Sequence, residues 1–294
     1  MIDFCGLRLE HPIVNGSGTF DAIAARRLFG DALLDQFPFA AFVSKTITLQ
    51  PRAGNPPPRL FETPGGMINS IGLPNRGLDG YLESDLPQLA ALPVPLITNV
   101  MGSTAGEVAA LVEAVDARPE IAAIELNVSC PNVKTGLDIG ADPAELGRLV
   151  DDLRPRTSKP LIVKLTPNTA DVGRVAQAAQ EAGADAVSLI NTLRAYAPHP
   201  RIPGEAWLGG GTGGMSGPAI RTVALAQVWA VAQRVAIPIV GMGGVSSGRH
   251  ARDLLDAGAT LVAVGTENFR DPLAATRIRA ELREDAAKRP VLSG

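Results

Sequence analysis

Cysteine is scarce in this chain: there are two in 294 residues, Cys5 and Cys130. Two thiols cannot build a disulfide framework, nor supply four thiolate ligands to an iron–sulfur cluster. Histidine is scarce as well. His11, His199 and His250 lie far apart at no ligand spacing, which argues against a structural zinc and leaves the expected metal set empty. Aromatic residues make up 4% and the formal net charge is -3, with Lys and Arg scattered rather than striped. That pattern carries no electrostatic footprint for nucleic acid. No apolar run approaches the length of a membrane span, and Met1-Ile-Asp-Phe-Cys5 has no basic stretch leading into an apolar one. The expectation is a cytoplasmic protein that engages neither membrane nor nucleic acid.

What the chain does have is aliphatic residue and glycine. Hydrophobic content of 46% with much Ala, Val and Leu suits α/β layers, in which aliphatic strands are covered by Ala- and Leu-rich helices. Short apolar runs recur at 12–18, 39–46, 94–101, 121–127, 160–166, 186–192, 237–244 and 259–266, each of the kind that makes a strand buried on both faces. Helical patterns separate most of them, at about 77–91, 105–116, 142 onward, 170–182, 218–235 and 248–257, with a closing amphipathic helix at 272–287. Thr104 and Asp142 are the expected N-caps of two of these, and Pro143 suits a first helical position. A small hairpin at 5–12 precedes the first strand. Two long stretches, 49–73 and 193–217, read as loops, and loops of that length are uncommon unless functional. Eight strands without a linker-like shift in composition predict one α/β domain over 1–294. Its expected form is a single (β/α)8 TIM barrel with an N-terminal hairpin and long active-site loops.

In such a barrel the site lies at the C-terminal face. The strand ends there carry Ser17, Lys45, Asn99, Asn127 with Cys130 just beyond, Lys164, Asn191 with Thr192, Gly243 with Gly244, and Gly265 with Thr266. Each has a bland reading when taken alone. A lone Cys is usually a small buried hydrophobe, an Asn after a strand is usually turn chemistry, and a Gly there usually relieves the backbone. Their convergence on one face favours a site, because buried Lys and Asn must find partners. Glycines after the last two strands let backbone N–H groups approach a phosphate, and the following helix N-terminus favours negative charge. A phosphorylated cofactor among amides with a buried Lys points to flavin mononucleotide. Lys164 would stabilise the negative charge that a flavin gains on reduction, and its bland reading is a structural ion pair.

With these residues placed, the chain resembles the soluble class 1 dihydroorotate dehydrogenases, most closely the class 1B catalytic subunit. The matching segments include Ser44-Lys-Thr46, Gly54-Asn-Pro-Pro-Pro-Arg59, Gly66-Met-Ile-Asn-Ser-Ile-Gly-Leu73 and Glu125-Leu-Asn-Val-Ser-Cys-Pro-Asn-Val-Lys134. Further along they include Val163-Lys-Leu-Thr-Pro-Asn168, Thr212-Gly-Gly-Met-Ser-Gly-Pro218, Gly241-Met-Gly-Gly244 and Val264-Gly-Thr266. The resemblance implies oxidation of dihydroorotate to orotate in pyrimidine biosynthesis, with FMN as the hydride acceptor and Cys130 as the base that removes the C5 proton. It implies a substrate site of Lys45, Asn69, Ser70, Ile71, Gly72, Leu73, Asn127, Asn191 and Thr192. The implied flavin site comprises Ser17, Lys45, Thr46, Asn99, Asn127, Lys164, Ile190, Gly217, Gly243, Gly244, Gly265 and Thr266. Residues 131–141, with Gly136 and Gly140 as hinges, would close over the substrate.

The chain departs from the family pattern at Pro74-Asn-Arg-Gly77, after Ser17-Gly-Thr-Phe20, and at Ala195-Tyr-Ala-Pro-His-Pro-Arg201. The implied assembly is a homodimer core with a separate electron-transfer subunit carrying FAD and an iron–sulfur cluster and passing electrons to NAD. The competing readings are a class 1A-like homodimer using fumarate, a dihydropyrimidine dehydrogenase subunit acting on a neutral ring, a tRNA dihydrouridine synthase, and a barrel that merely binds flavin.

Overall fold

The computed structural model describes residues 1–128 and 139–288. Eight strands form the expected barrel: β1 (Ile13–Asn15), β2 (Phe42–Val43), β3 (Leu96–Val100), β4 (Ile121–Asn127), β5 (Leu161–Lys164), β6 (Ala186–Leu189), β7 (Ile239–Met242) and β8 (Leu261–Val264). All pair in parallel in the order β1-β8-β7-β6-β5-β4-β3-β2, so neighbours in sequence are neighbours in space. Parallel neighbours need crossovers, and helices such as Ala105–Asp116, Pro143–Leu153, Val172–Glu181 and Gly248–Asp256 supply them.

The apolar runs are continuous because alternate side chains fill two different cores. Val14, Val43, Ile97, Ala123, Ile162, Ala186, Val240 and Ala263 face the barrel interior. Their neighbours in sequence, among them Ile13, Phe42, Leu96, Ile124, Leu161, Val187 and Val262, pack outward against helical residues such as Leu111, Leu146 and Val175. Fully burying one such aliphatic side chain contributes roughly 1.5–3 kcal/mol. Phe4 and Leu9 join the interior core from the N-terminal hairpin, which therefore plugs the barrel. That hairpin pairs Ile2–Phe4 with Leu7–Leu9, earlier than the expected 5–12. Cys5 and Gly6 make the turn, both at positive φ (53° and 83°), as tight two-residue hairpins require.

The helix starts follow the expected chemistry. Thr104 accepts from the Glu107 N–H at 3.2 Å, and Asp142 accepts from Ala144 and Glu145 at 2.8 and 3.2 Å with Pro143 in the first turn. The two long loops differ from expectation. Each contains a pair of strands, and these join into an antiparallel sheet in the order Leu193–Tyr196, Thr212–Ser216, Gly66–Asn69, Leu60–Thr63. This second sheet stands over the C-terminal face of the barrel. Among the described residues no helix is long and apolar enough to cross a membrane, and no cluster of three His, Cys, Asp or Glu side chains could hold a metal ion.

Candidate active site

The strand ends and the second sheet enclose a cavity of about 770 Å³, within the range of roughly 300–1,000 Å³ typical of small-molecule sites. Beneath its lining residues the floor rests on a polar layer one step above the aliphatic interior. Asn99 on β3 and Glu125 on β4 are register partners, and Ser188 stands on β6. Asn99 Nδ2 donates to Glu125 Oε1 at 2.6 Å and Ser188 Oγ donates to Glu125 Oε2 at 2.7 Å, with all three residues buried. Asn99 Oδ1 is buried and, among the described residues, has no hydrogen-bond partner. An unmet acceptor beneath a cavity is costly in an empty site and is relieved by a donor on a bound molecule.

Above this layer Lys164, at the end of β5, is register partner to Asn127 at the end of β4. Both are largely buried, 6% and 8% exposed, and both line the cavity. A lysine this enclosed is suited to an anionic partner. The other expected cation differs. Lys45 is exposed at the rim, and its chain lies across Gly18, where an added Cβ would come within 2.8 Å of Lys45 Cδ.

One end of the cavity is built from backbone. Gly243 and Gly244 follow β7 with φ of 130° and 69°, and Gly217 has φ of 96°, conformations that side-chain-bearing residues rarely adopt. A Cβ on Gly244 would meet the Gly217 carbonyl at 2.9 Å, so the two turns are packed together. Gly265 is open by contrast: a Cβ there meets nothing nearer than Thr19 Cγ2 at 3.8 Å. Thr266 Oγ1 donates to Ser216 Oγ at 2.8 Å, which fixes the neighbouring hydroxyls. Glu267, also in the wall, is paired with Arg277 at 3.4 Å and Arg270 at 3.6 Å, so its charge is compensated. Positive-φ glycine turns after β7 beside the open backbone of Gly265 after β8 fit a phosphate. The lysine and amide end fits a polar ring system.

Of the residues expected from the sequence, Ser17, Lys45, Thr46, Asn69, Ile71, Gly72, Leu73, Asn127, Lys164, Ile190, Asn191, Thr192, Gly217, Gly243, Gly244, Gly265 and Thr266 line this one cavity. Two expected residues stand behind the wall instead. Ser70 is buried and accepts from Asn55 Nδ2 at 3.0 Å, and Asn99 belongs to the floor. Cys130 lies outside the described residues, as do residues 131–138 of the expected closing loop. Gly140, expected as a hinge, is buried; it donates to the Val128 carbonyl at 3.2 Å, and a Cβ there would overlap that oxygen. It is a close-packing point.

Sequence reasoning missed several wall residues. Phe61 and Thr63 reach the cavity from the hairpin of the second sheet, and Phe269 and Arg270 from the short helix after β8. The hairpin had a signal, because Gly65-Gly66 sits between two short runs rich in Leu, Phe, Thr, Met and Ile. The buried Glu125 carboxylate was also missed; a charge at the centre of an apolar strand marks a paired or functional group.

The chain matches the family described as Dihydroorotate dehydrogenase over residues 1–285. It is similar to a protein of Geotalea daltonii named "Dihydroorotate dehydrogenase B (NAD(+)), catalytic subunit", 46% identical over 290 residues that cover 98% of this chain and 93% of the relative. Proteins of the same name from Geotalea uraniireducens and Geobacter sulfurreducens are 45% and 44% identical. They cover 94% and 96% of this chain, and 90% and 91% of the relatives.

Proposed function

The chain belongs to the dihydroorotate dehydrogenase family, and from that premise we propose that it is a flavin-dependent catalytic subunit oxidising dihydroorotate to orotate. The observation that carries this reading is the single cavity in which the glycine turns after β7 and β8, buried Lys164 and Asn127 all meet. The residues present fit flavin mononucleotide. Gly217, Gly243, Gly244, Gly265 and Thr266 would hold its phosphate, and Lys164 and Asn127 its ring, with the unmet acceptor of Asn99 beneath. When bound, the flavin supplies the hydride acceptor.

The chain's own residues do the rest. Lys164 presents a largely buried ammonium to the negative charge that oxidation of the substrate delivers to the site, where a preorganised cation is most effective. Lys45 at the rim pairs with the substrate carboxylate, and the amides of Asn69, Asn127 and Asn191 suit the donors and acceptors of an imide ring. Oxidation removes a hydride from C6 and a proton from C5. Cys130, carried over from the family pattern, accepts the proton on Sγ; an ordinary thiol pKa of about 8.5 needs only modest help for that task.

In this reading residues 1–294 act as one flavin-binding domain in the cytoplasm, at the core of a homodimer. Electrons leave through a separate subunit to NAD. The relatives that match nearly end to end are named as NAD-linked catalytic subunits, which favours this route over fumarate.

The test is direct. Flavin released from purified protein is identified by mass spectrometry, and the holoprotein is titrated anaerobically with dihydroorotate and, separately, dihydrouracil. Bleaching of bound FMN by dihydroorotate alone is the expected result. Bleaching by dihydrouracil alone, or by neither, sinks the assignment. Turnover with NAD against fumarate, with and without a co-expressed partner, then identifies the acceptor.

A further inference from the structure

The segment 69–75 carries Asn69, Ile71, Gly72 and Leu73 into the cavity, yet from residue 70 to residue 74 it belongs to no helix or strand. Its backbone is unusual: Gly72 and Leu73 both have positive φ, 74° and 54°. A leucine in that region is disfavoured by contact of its Cβ with the backbone and persists only where neighbours hold it. What holds it here is the preceding segment, 48–59, joined to it through Asn55 on that segment and Asn75 at this stretch's own end, neither of which lines the cavity.

Asn55 grips the start. Its N–H donates to the Ile71 carbonyl at 3.0 Å, and its Nδ2 donates to the Ser70 carbonyl at 3.1 Å and to Ser70 Oγ at 3.0 Å. Arg59 closes a second loop of bonds, Nε donating to the Asn55 carbonyl at 2.6 Å while its own carbonyl accepts from Ser70 N–H at 2.8 Å. The fit is tight. A Cβ on Gly54 would meet the Ile71 carbonyl at 2.7 Å, and one on Gly72 would overlap the Asn55 N–H. Asn75 grips the end. Its Nδ2 donates to the Leu73 carbonyl and to Thr48 Oγ1, both at 2.9 Å. Its Oδ1 accepts from the N–H groups of Thr48 and Gly77 at 3.2 and 2.8 Å. Its backbone exchanges both hydrogen bonds with Arg52.

We propose that Asn55 and Asn75 are positioning residues for the substrate: they fix the carbonyls of Ser70 and Leu73 and so hold the cavity-lining stretch between them in its binding shape. This rests on the reading that the stretch contacts dihydroorotate. The flavin turns and the base are carried by other strand ends, so the two asparagines act on substrate binding and not on the chemical step.

Isosteric replacement separates positioning from mere filling. Asn55→Asp keeps the shape but sets a carboxylate oxygen against the Ser70 carbonyl, while the Ser70 hydroxyl can turn to donate to it. Asn75→Asp keeps the acceptor that serves Thr48 and Gly77 and loses only the donor side, which faces Leu73 and Thr48 Oγ1. For each variant, made as holoprotein, the KM for dihydroorotate is expected to rise about tenfold or more while kcat changes less than about threefold, since uniform binding is what is lost. The orotate dissociation constant, read from the shift in flavin absorbance, rises in step, and flavin content stays at the wild-type level.

An unchanged KM in both variants overturns the proposal. So does a joint loss of flavin, kcat and substrate affinity, which would mark general damage. Failure of the wild-type holoprotein to be reduced by dihydroorotate is a different outcome; it removes the substrate reading itself, and this inference with it.

Discussion

The side chain of Asn15 pairs with the backbone of Val43 as a neighbouring strand would. Its Oδ1 accepts the Val43 N–H and its Nδ2 donates to the Val43 carbonyl, both at 2.8 Å. β1 and β2 are the two ends of the eight-strand order, so this amide closes the barrel where the ladder stops, beside a bond from Ala40 N–H to the Ile13 carbonyl at 2.9 Å. The seam also lies directly below Ser17, whose hydroxyl donates to the Ser44 carbonyl at 2.8 Å. The wall of the site at Ser17 and the closure of the fold therefore share one junction.

Asn15→Leu keeps the branching of the side chain and removes the pairing, leaving the buried N–H and carbonyl of Val43 unmet. Each unmet group costs about 1–3 kcal/mol, so a loss of about 2–6 kcal/mol is expected in chemical denaturation. A loss under about 0.5 kcal/mol, the scale of an indifferent surface change, would show that the seam holds without the amide.

Lys164 is the second expectation. Truncation to Ala takes the buried cation from the cavity while leaving the Asn99–Glu125–Ser188 layer intact beneath it. A hydrogen bond to a charged group contributes about 1.5–3 kcal/mol, so FMN affinity is expected to fall roughly 10–100-fold. The check is titration of apoprotein with FMN, followed by quenching of flavin fluorescence. Wild-type affinity and a wild-type reduction rate would leave Lys164 a structural role only.

Much of this was legible before any coordinates, for a physical reason. A parallel barrel buries both faces of every strand, so each strand is an uninterrupted aliphatic run, and whatever polar residue ends that run stands at the site. Lys164, Asn127, Asn191 and Thr266 were readable that way, as were the caps Thr104 and Asp142. What escaped was set by tertiary pairing. Thr212–Ser216 has two glycines among its five residues and offers no side-chain alternation, yet it is a strand because both its edges are paired. Gly214 must lack a side chain because Thr192 occupies that space. The bond from Asn15 to Val43 spans 28 residues and depends on where the barrel closes, which no local pattern encodes. Asn99 was readable as polar, but its tie to Glu125 required the register of two strands.

His11 gives a pH expectation. It is buried where the chain enters β1, with Arg279 at 3.2 Å from Nε2. Burial, then the charges of Arg279 and Arg283, push its pKa down from 6.5 to about 4. In the unfolded chain the imidazole protonates near pH 6.5, whereas in the folded chain it stays neutral until about pH 4. Its contribution is therefore fully present above pH 6.5 and is lost as pH falls toward 4. The span corresponds to roughly 3 kcal/mol at most. His11→Gln removes the titration, so the stability of the wild type relative to this variant should drop between pH 7 and pH 4 in urea unfolding. A difference that stays flat across that range would show that His11 does not titrate in this window.

The two cysteines are expected to part company in reactivity. Cys5 donates its thiol to the Asp185 carbonyl at 3.4 Å, and burial, then Asp185 and Asp3, push its pKa up to about 12. The thiolate is the reactive form, so Cys5 should be inert to iodoacetamide between pH 7 and 9. Cys130, the proposed base, should account for the single equivalent taken up by native protein, identified by peptide mass and slowed by orotate. Cys130→Ala is then expected to give a yellow, folded protein whose flavin is reduced by dihydroorotate about 10²–10⁴-fold more slowly, the usual weight of a positioned acid–base group. Cys5→Ala should reduce at the wild-type rate, since that thiol lies at the opposite end of the barrel, among the residues that plug it. Equal alkylation of both thiols would show that the surroundings of Cys5 do not hold it in the thiol form. Near-normal reduction by Cys130→Ala removes that residue from the chemistry and obliges another group to take the C5 proton.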